Sequence, residues 1–500
     1  MERLETGIPG LDALGFGGLP RGRTTLLTGT TGSGKTVFAL QFLATGVNSF
    51  GQPGVLVTLE EPAEELIENM SSFGWDLAGL VSSGQIAVID ATDRGEEVVS
   101  GGFDFGGLSA RIAHAVREVG AKRLVVDPLD VLFLDFGEAS EVRKALHGVA
   151  RSLMPLGVTT VMTAERAADD GPYTQFGAEE FVAHNLVVLR NSLEEERRRR
   201  TLEVVKLRGS QHRKGEFPFV IDPVTGIEVV PFSAIEAERQ AAAAPDRISL
   251  GPPLDDLCGG GVYRDSVVLV TGATGTGKTL LAAQFTQAGL DAGERVLFLS
   301  FEESASQLVR NVSSWGMNFE APAQKGRLRI VSRYPERMGL QDLLVEIKDE
   351  VEQFAPARVV IDSMTALMHN APAREFREFG IGLSGYFKSR GIAALMTTTL
   401  LTLLGGESAT GVALSTVADA IVALRYLELE GELRRGILMV KLRGQAHDRT
   451  IHEYEITDNG IRLLGRLQGV AGILTGRASF LGDPQPTRPA GSEESEPDEV

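Results

Sequence analysis

The sequence predicts an α/β fold built twice in tandem, each copy a mostly parallel sheet flanked by helices. Two observations carry this. Thr28-Gly-Thr-Thr-Gly-Ser-Gly-Lys-Thr36 returns 243 residues later as Thr271-Gly-Ala-Thr-Gly-Thr-Gly-Lys-Thr279, and inside each copy short β-branched runs alternate with amphipathic stretches of helical length. Further matches keep the same order. Val57-Thr-Leu-Glu-Glu61 returns as Leu299-Ser-Phe-Glu-Glu303, Arg123-Leu-Val-Val-Asp127 as Arg358-Val-Val-Ile-Asp362, and Val205-Lys-Leu-Arg-Gly209 as Val440-Lys-Leu-Arg-Gly444. The offset drifts from 243 to 235 along the chain, as expected of tandem domains with small loop deletions in the second.

In the first copy, strands are expected at residues 24–27, 55–59, 124–126, 159–163 and 186–189; in the second, at 267–270, 296–299, 359–361, 394–398 and 421–424. Each copy should end in a hairpin. In the first, residues 186–190 and 202–207 would be joined across the charged turn Glu194-Glu-Glu-Arg-Arg-Arg-Arg200. The domains are placed at residues 1–232 and 247–470, with an alanine- and charge-rich linker at 233–246. Residues 471–500 finish in Glu493-Glu-Ser-Glu-Pro-Asp-Glu499 and are expected to be a disordered acidic tail.

Gly29-x4-Gly34-Lys35-Thr36 follows an apolar strand and precedes the helical pattern of residues 37–46, the context that makes the string a phosphate-binding loop. Gly272-x4-Gly277-Lys278-Thr279 meets the same test. Backbone N–H groups of Gly29, Thr30, Thr31, Gly32, Ser33 and Gly34, and of Gly272, Ala273, Thr274, Gly275, Thr276 and Gly277, would converge on the phosphates of ATP. Lys35 and Lys278 would neutralise β- and γ-phosphate charge, and the hydroxyls of Thr36 and Thr279 would ligate Mg2+.

Asp127 and Asp362 end apolar strands, where open α/β sheets place ligand-binding groups, and are read as the second Mg2+ contacts. The pairs Glu60-Glu61 and Glu302-Glu303 end the strand after each phosphate-binding helix. A carboxylate there can take a proton from water or a hydroxyl as it attacks the γ-phosphate. The same pairs also precede helix starts at Pro62 and Ser304, where acidic groups favour the helix dipole, so one glutamate is expected to serve each purpose.

Lys+Arg 49 against Asp+Glu 67 gives a net charge of −18, which disfavours nucleic-acid backbones and anionic membranes. No stretch approaches the ~20 apolar residues of a membrane span, and the first nine residues do not read as a secretion signal. The single cysteine, Cys258, excludes an intrachain disulfide, is expected to be a small buried hydrophobe, and points to a reducing cytoplasm.

With these pieces in order, the chain resembles the KaiC family, double-domain RecA-like ATPases that include a circadian clock autokinase. Arg190-Asn191, Arg197-Arg-Arg-Arg-Thr201, Glu179-Glu-Phe181 and Lys206-Leu-Arg-Gly209 with His212 resemble the family's first domain; Phe301-Glu-Glu-Ser304, Ser314-Trp-Gly-Met317 and Lys441-Leu-Arg-Gly444 with His447-Asp448 resemble its second. The resemblance implies a homohexamer with ATP at subunit interfaces, clock or signalling proteins as partners, and nucleotide contacts from Lys206, Leu207, Arg208 and His212 and from Lys441, Leu442, Arg443, His447 and Asp448. It also implies phosphoacceptors at Ser415 and Thr416, with Thr410 as a nearby third hydroxyl. Gly411-Val412-Ala413 departs from the family's polar pattern ahead of the pair.

The expected function is a hexameric ATPase whose second copy phosphorylates its own Ser415 and Thr416, a serine/threonine autokinase. Two other classes stay open at this stage: an ATP-gated scaffold without autophosphorylation, and a RecA-like DNA motor, which the charge disfavours.

Overall fold

The computed structural model describes residues 2–92, 105–133, 142, 144, 147–148, 151–174, 183–194, 197–230, 246–334, 339–368, 371–399, 414–429, 431–467, 470–471 and 479–480. The chain divides into two compact units, Met1–Ala234 and Ile235–Val500. Most of the expected linker, most of the acidic tail, Glu179–Phe181, Thr410 and residues 411–413 lie outside the described residues.

The first unit is built on nine strands: β1 (Thr24–Gly29), β2 (Gly54–Thr58), β3 (Ile86–Asp90), β4 (Arg123–Asp127), β5 (Thr159–Glu165), β6 (Asn185–Glu194), β7 (Arg197–Leu207), β8 (Glu216–Asp222) and β9 (Gly226–Val229). They lie in the order β9-β8-β7-β6-β1-β5-β4-β2-β3. The pairings from β6 through β3 are parallel; those among β6, β7, β8 and β9 are antiparallel. The second unit repeats the plan with β10 (Val267–Gly272), β11 (Val296–Ser300), β12 (Leu328–Ser332), β13 (Arg358–Asp362), β14 (Ala393–Thr399), β15 (Ala420–Leu429), β16 (Glu432–Leu442), β17 (His452–Thr457) and β18 (Gly460–Arg466). Its order, β12-β11-β13-β14-β10-β15-β16-β17-β18, is the same sequence of strand roles.

Strands covered on both faces need apolar residues at consecutive positions. The first sheet shows why. Leu27, Leu56, Val125, Val161, Val187 and Leu189 pack under helix α1 (Lys35–Phe50), whereas Leu26, Val55, Val57, Leu124, Val126, Met162, Leu186 and Val188 belong to the cluster on the other face, with Leu108, Ile112 and Val116. Alternate side chains thus point to opposite layers. In the second unit, Val268, Val270, Val296, Phe298, Val360, Leu395 and Val422 join the core beneath helix α2 (Lys278–Asp291). Cys258 is fully buried there, its thiol pKa raised by burial, as a small core hydrophobe should be.

Four details differ from the sequence reading. Neither copy ends at its hairpin: β8 and β9 in the first unit, and β17 and β18 in the second, follow it and add two antiparallel strands to the sheet. Arg197–Arg200 belong to β7 rather than to a turn, because they pair with Arg200↔Asn191 through Arg197↔Glu194 and lengthen the hairpin. Edge strands β3 and β12 went unread because each has one neighbour and an only partly buried, five-residue run. In β5 and β14 the offset between copies is 234, not 235: Gly29 aligns with Glu165 and Gly272 with Thr399, so Glu165 corresponds to Thr399.

Candidate functional site

Each phosphate-binding loop leaves the central strand and enters its helix through a glycine in the left-handed region, Gly34 at φ 98° and Gly277 at φ 95°. A side chain there would be strained, and at Gly34 a Cβ would also lie 2.8 Å from Ile221 Cδ1. Lys35 Nζ donates to the carbonyls of Gly29 (2.9 Å) and Thr30 (3.1 Å); Lys278 Nζ donates to Ala273 (3.0 Å). Burial lowers both lysine pKa values, and carboxylates oppose that shift: Glu165, Asp127, Asp130 and Glu60 around Lys35, Asp362 and Glu302 around Lys278. Ser33 and Thr276 are buried inside their loops, and Thr276 Oγ1 donates to Ala273 O at 2.7 Å.

The strand-end aspartates lie against the same loops. Thr279 Oγ1 donates to Asp362 Oδ2 at 2.7 Å, and Thr397 Oγ1 donates to Asp362 Oδ1; Asp127 accepts from Thr36 and Thr163. Burial pushes both carboxyl pKa values above 3.8, against the pull of these hydroxyls. The folded carboxyl therefore holds its proton more tightly than the unfolded one. It favours folding at acid pH, and that contribution disappears as pH rises through the folded pKa. Asp362→Asn is accordingly expected to raise the melting temperature of the nucleotide-free, EDTA-treated protein at pH 7 by about 2–4 °C, with the gap closing toward pH 4. A melting temperature below wild type at pH 7 would reject this reading.

The paired glutamates divide. Glu303 is committed to structure: its carbonyl accepts from Ser300 Oγ (2.7 Å) and Ser332 Oγ (2.8 Å), and its carboxylate from Asn311 Nδ2 (3.1 Å). Glu302 is exposed, acts electrostatically on Lys278, and accepts a hydrogen bond from Ser363, the residue after Asp362. In the first unit, the Glu61 carbonyl accepts from Thr58, while Glu60 is the member that acts on Lys35. Pro128 follows Asp127 there, so the serine contact has no chemical counterpart. Both expected helix starts are present: Pro62 and Ser304 are N-caps, and Ser304 forms a capping box with Gln307.

Lys441 Nζ donates to the carbonyls of Ser415 and Ala418, each at 2.8 Å, and Arg443 donates to Thr416 O at 2.8 Å. Asp419 gathers Lys388 (2.8 Å) and Arg443 (3.4 Å), and accepts from Val267 N at 2.9 Å. The segment bearing Ser415 and Thr416 is thereby tied to the end of β16 and the start of β10. In the first unit His184 takes the place of Asp419, accepting from Thr24 N at 3.4 Å; desolvation, then Arg23, Arg208 and Lys206, depress its pKa. Leu207 and Leu442 are buried at the strand ends, and His212 and His447 are partly buried in the loops that follow. Asp448 lies well below the usual carboxylate range because Thr450 and His452 hydrogen-bond to it. Sequence reasoning missed Glu165, Asp130 and Asp169 beside the first loop; Asp127-Pro-Leu-Asp130 was the available signal.

Two mostly parallel sheets, each presenting a phosphate-binding loop, a strand-end aspartate and a strand-end glutamate, define a tandem RecA-like P-loop nucleotide-binding protein. The family model of the KaiC ATPase matches residues 4–234 and again 251–468. A circadian clock protein KaiC3 of Synechocystis is 45% identical over 494 residues, covering 98% of this chain and 97% of that protein. The circadian clock oscillator proteins KaiC of Thermostichus vulcanus and Synechococcus elongatus are each 44% identical, covering 95% and 99% of this chain and 92% and 94% of theirs. The chain belongs to the KaiC family. Among its described residues no helix is long and apolar enough to cross a membrane.

Proposed function

We propose that the protein is a hexameric, Mg2+-dependent ATPase of a circadian or related timing system, with serine/threonine autokinase activity in its second unit. The observation that carries this is the asymmetry between the copies. Both hold the nucleotide machinery, but only the second has hydroxyls, Ser415 and Thr416, on a segment tied to Lys441 and Arg443.

A hydroxyl beside a buried carboxylate, Thr36 with Asp127 and Thr279 with Asp362, is a hard oxygen donor set that suits Mg2+ completed by waters and phosphate oxygens. Among the described residues no group of three or more His, Cys, Asp or Glu side chains is placed to hold a metal unaided, which fits an ion shared with the nucleotide. Bound there, Mg2+ would supply neutralisation of charge developing on the phosphates. Lys35 and Lys278 would exchange their loop carbonyls for phosphate oxygens.

In the first unit Glu60 takes the proton of a water whose oxygen bonds to Pγ as the bond to the bridging oxygen of ADP breaks. In the second, Glu302 plays the same part for the hydroxyl of Ser415 or Thr416, yielding the phosphoester and ADP. Glu61 and Glu303 position the turn. Lys206, Arg208, Lys441 and Arg443 face the nucleotide of a neighbouring subunit in this reading, with His212, His447 and Asp448 shaping the same rim.

Incubation with γ-labelled ATP should mark Ser415 and Thr416, and Glu302→Gln should lower the labelling rate about 10²–10⁴-fold with ATP binding retained. Sustained ATP turnover with no phosphopeptide in the wild type would replace the autokinase with an ATP-gated scaffold.

A further inference from the structure

The first phosphate-binding loop is fastened by acidic groups that have no counterpart among the described residues of the second. β5 ends at Glu165 beside Gly29. The Glu165 backbone N–H donates to Asp130 Oδ2, and Thr31 Oγ1 donates to the Glu165 carboxylate. The chain then runs back over the loop, with Arg166 N donating to Gly29 O at 3.1 Å. The Arg166 guanidinium donates to the carbonyls of Asp169 (3.1 Å), Gly171 (2.8 Å) and Pro172 (3.1 Å) and so fixes this return. Asp169 Oδ1 accepts from Thr30 Oγ1 at 3.1 Å, and its Oδ2 accepts from Asn191 N (3.2 Å) and Ser192 Oγ (3.3 Å) on β6. Asn191 Nδ2 in turn donates to Gly32 O at 3.3 Å.

The second copy cannot make these bonds. Ala273 stands where Thr30 stands and has no hydroxyl, and Thr399 stands where Glu165 stands and has no carboxylate. The position of Asp130 is taken by Thr365, whose Oγ1 accepts from Thr399 N at 2.7 Å, so the backbone restraint survives while the charge is lost. Two carboxylates bonded to a loop whose ligand is polyanionic oppose that ligand, and the effect weakens with salt.

We infer that Glu165 and Asp169 form a carboxylate latch on the first loop that weakens its hold on a nucleoside triphosphate and links its loading to β6. This rests on the nucleotide-binding reading of both loops. Glu165 is a positioning residue here, acting on the loop rather than on the reacting atoms.

The test uses the full chain with Lys278→Ala silencing the second site, and a fluorescent N-methylanthraniloyl ATP with Mg2+ as probe. Adding Glu165→Gln preserves the acceptor for Thr31 and removes the charge. It should lower Kd roughly three- to tenfold, chiefly through slower dissociation, and the ratio should shrink at high salt. The reciprocal graft, Thr399→Glu in a Lys35→Ala background, should weaken the second site by a similar factor. Unchanged or weaker binding in Glu165→Gln, or a ratio indifferent to salt, overturns the latch while leaving the nucleotide reading intact. Failure of the Lys278→Ala parent to bind the probe at all overturns that reading, and the latch with it.

Discussion

A chain carrying Lys278→Ala is expected to bind one ATP where the wild type binds two, and the same holds for Lys35→Ala at the other unit. Each ammonium is half-sequestered among loop carbonyls, with its proton disfavoured by burial and retained through nearby carboxylates. A triphosphate offers charged acceptors in place of those carbonyls. Two charge-assisted contacts at about 1.5–3 kcal/mol each make the loss roughly 3 kcal/mol or more, on the order of 100-fold in Kd. Equilibrium dialysis at ATP concentrations near the wild-type Kd should read the fall in stoichiometry directly. The two losses should differ in consequence: Lys278→Ala should abolish phosphate transfer to Ser415 and Thr416 yet leave first-unit hydrolysis. If either variant still binds two nucleotides with wild-type affinity, the loops are not the sites.

Arg123→Leu should be strongly destabilising although it lies outside the nucleotide machinery. The side chain is fully buried, and its guanidinium donates to the carbonyls of Glu5 (2.6 Å), Thr6 (3.0 Å) and Phe42 (2.7 Å) and to Gln52 Oε1 (3.0 Å), with Phe42's ring 4.5 Å away. Leucine would strand these acceptors and leave a void, at a cost of about 3–5 kcal/mol. Denaturant unfolding followed by a probe in the first unit should show the midpoint falling, and a loss below about 1 kcal/mol would refute the role. Gly46 supplies an internal check. A Cβ there would lie 2.4 Å from Arg123 Cδ, so Gly46→Ala should destabilise although alanine is the better helix former by about 1 kcal/mol. The second unit uses the same device at Arg358 and Gly289, but pairs its arginine with Glu294 where the first has Gln52.

Much of the site was legible because phosphate binding imposes a local grammar. Loop, lysine and hydroxyl lie within eight consecutive residues, and each downstream carboxylate sits at a strand end that apolar runs announce. What resisted reading was nonlocal. The Glu302/Glu303 ambiguity dissolves only when Ser300, Ser332 and Asn311, from three different elements, claim Glu303. Glu165 and Asp169 carry no motif; they become part of the site because β5 runs beside β1 and delivers them to Thr31 and Thr30.

The sequence by itself determined the duplication, the α/β class, the position of both phosphate-binding loops and the presence of the Ser415-Thr416 hydroxyls in the second copy alone, since these depend on residue type and spacing along a single stretch of chain. The tertiary structure alone decided which glutamate faces each loop, that Arg197–Arg200 extend a strand, that β5 and β14 are offset by 234 rather than 235, and that buried arginines brace both phosphate-binding helices. The physical reason is common to all four. Each turns on which partner a group finds on an element distant in the chain, and the pairing of strands and the packing of helices set that choice, not sequence proximity.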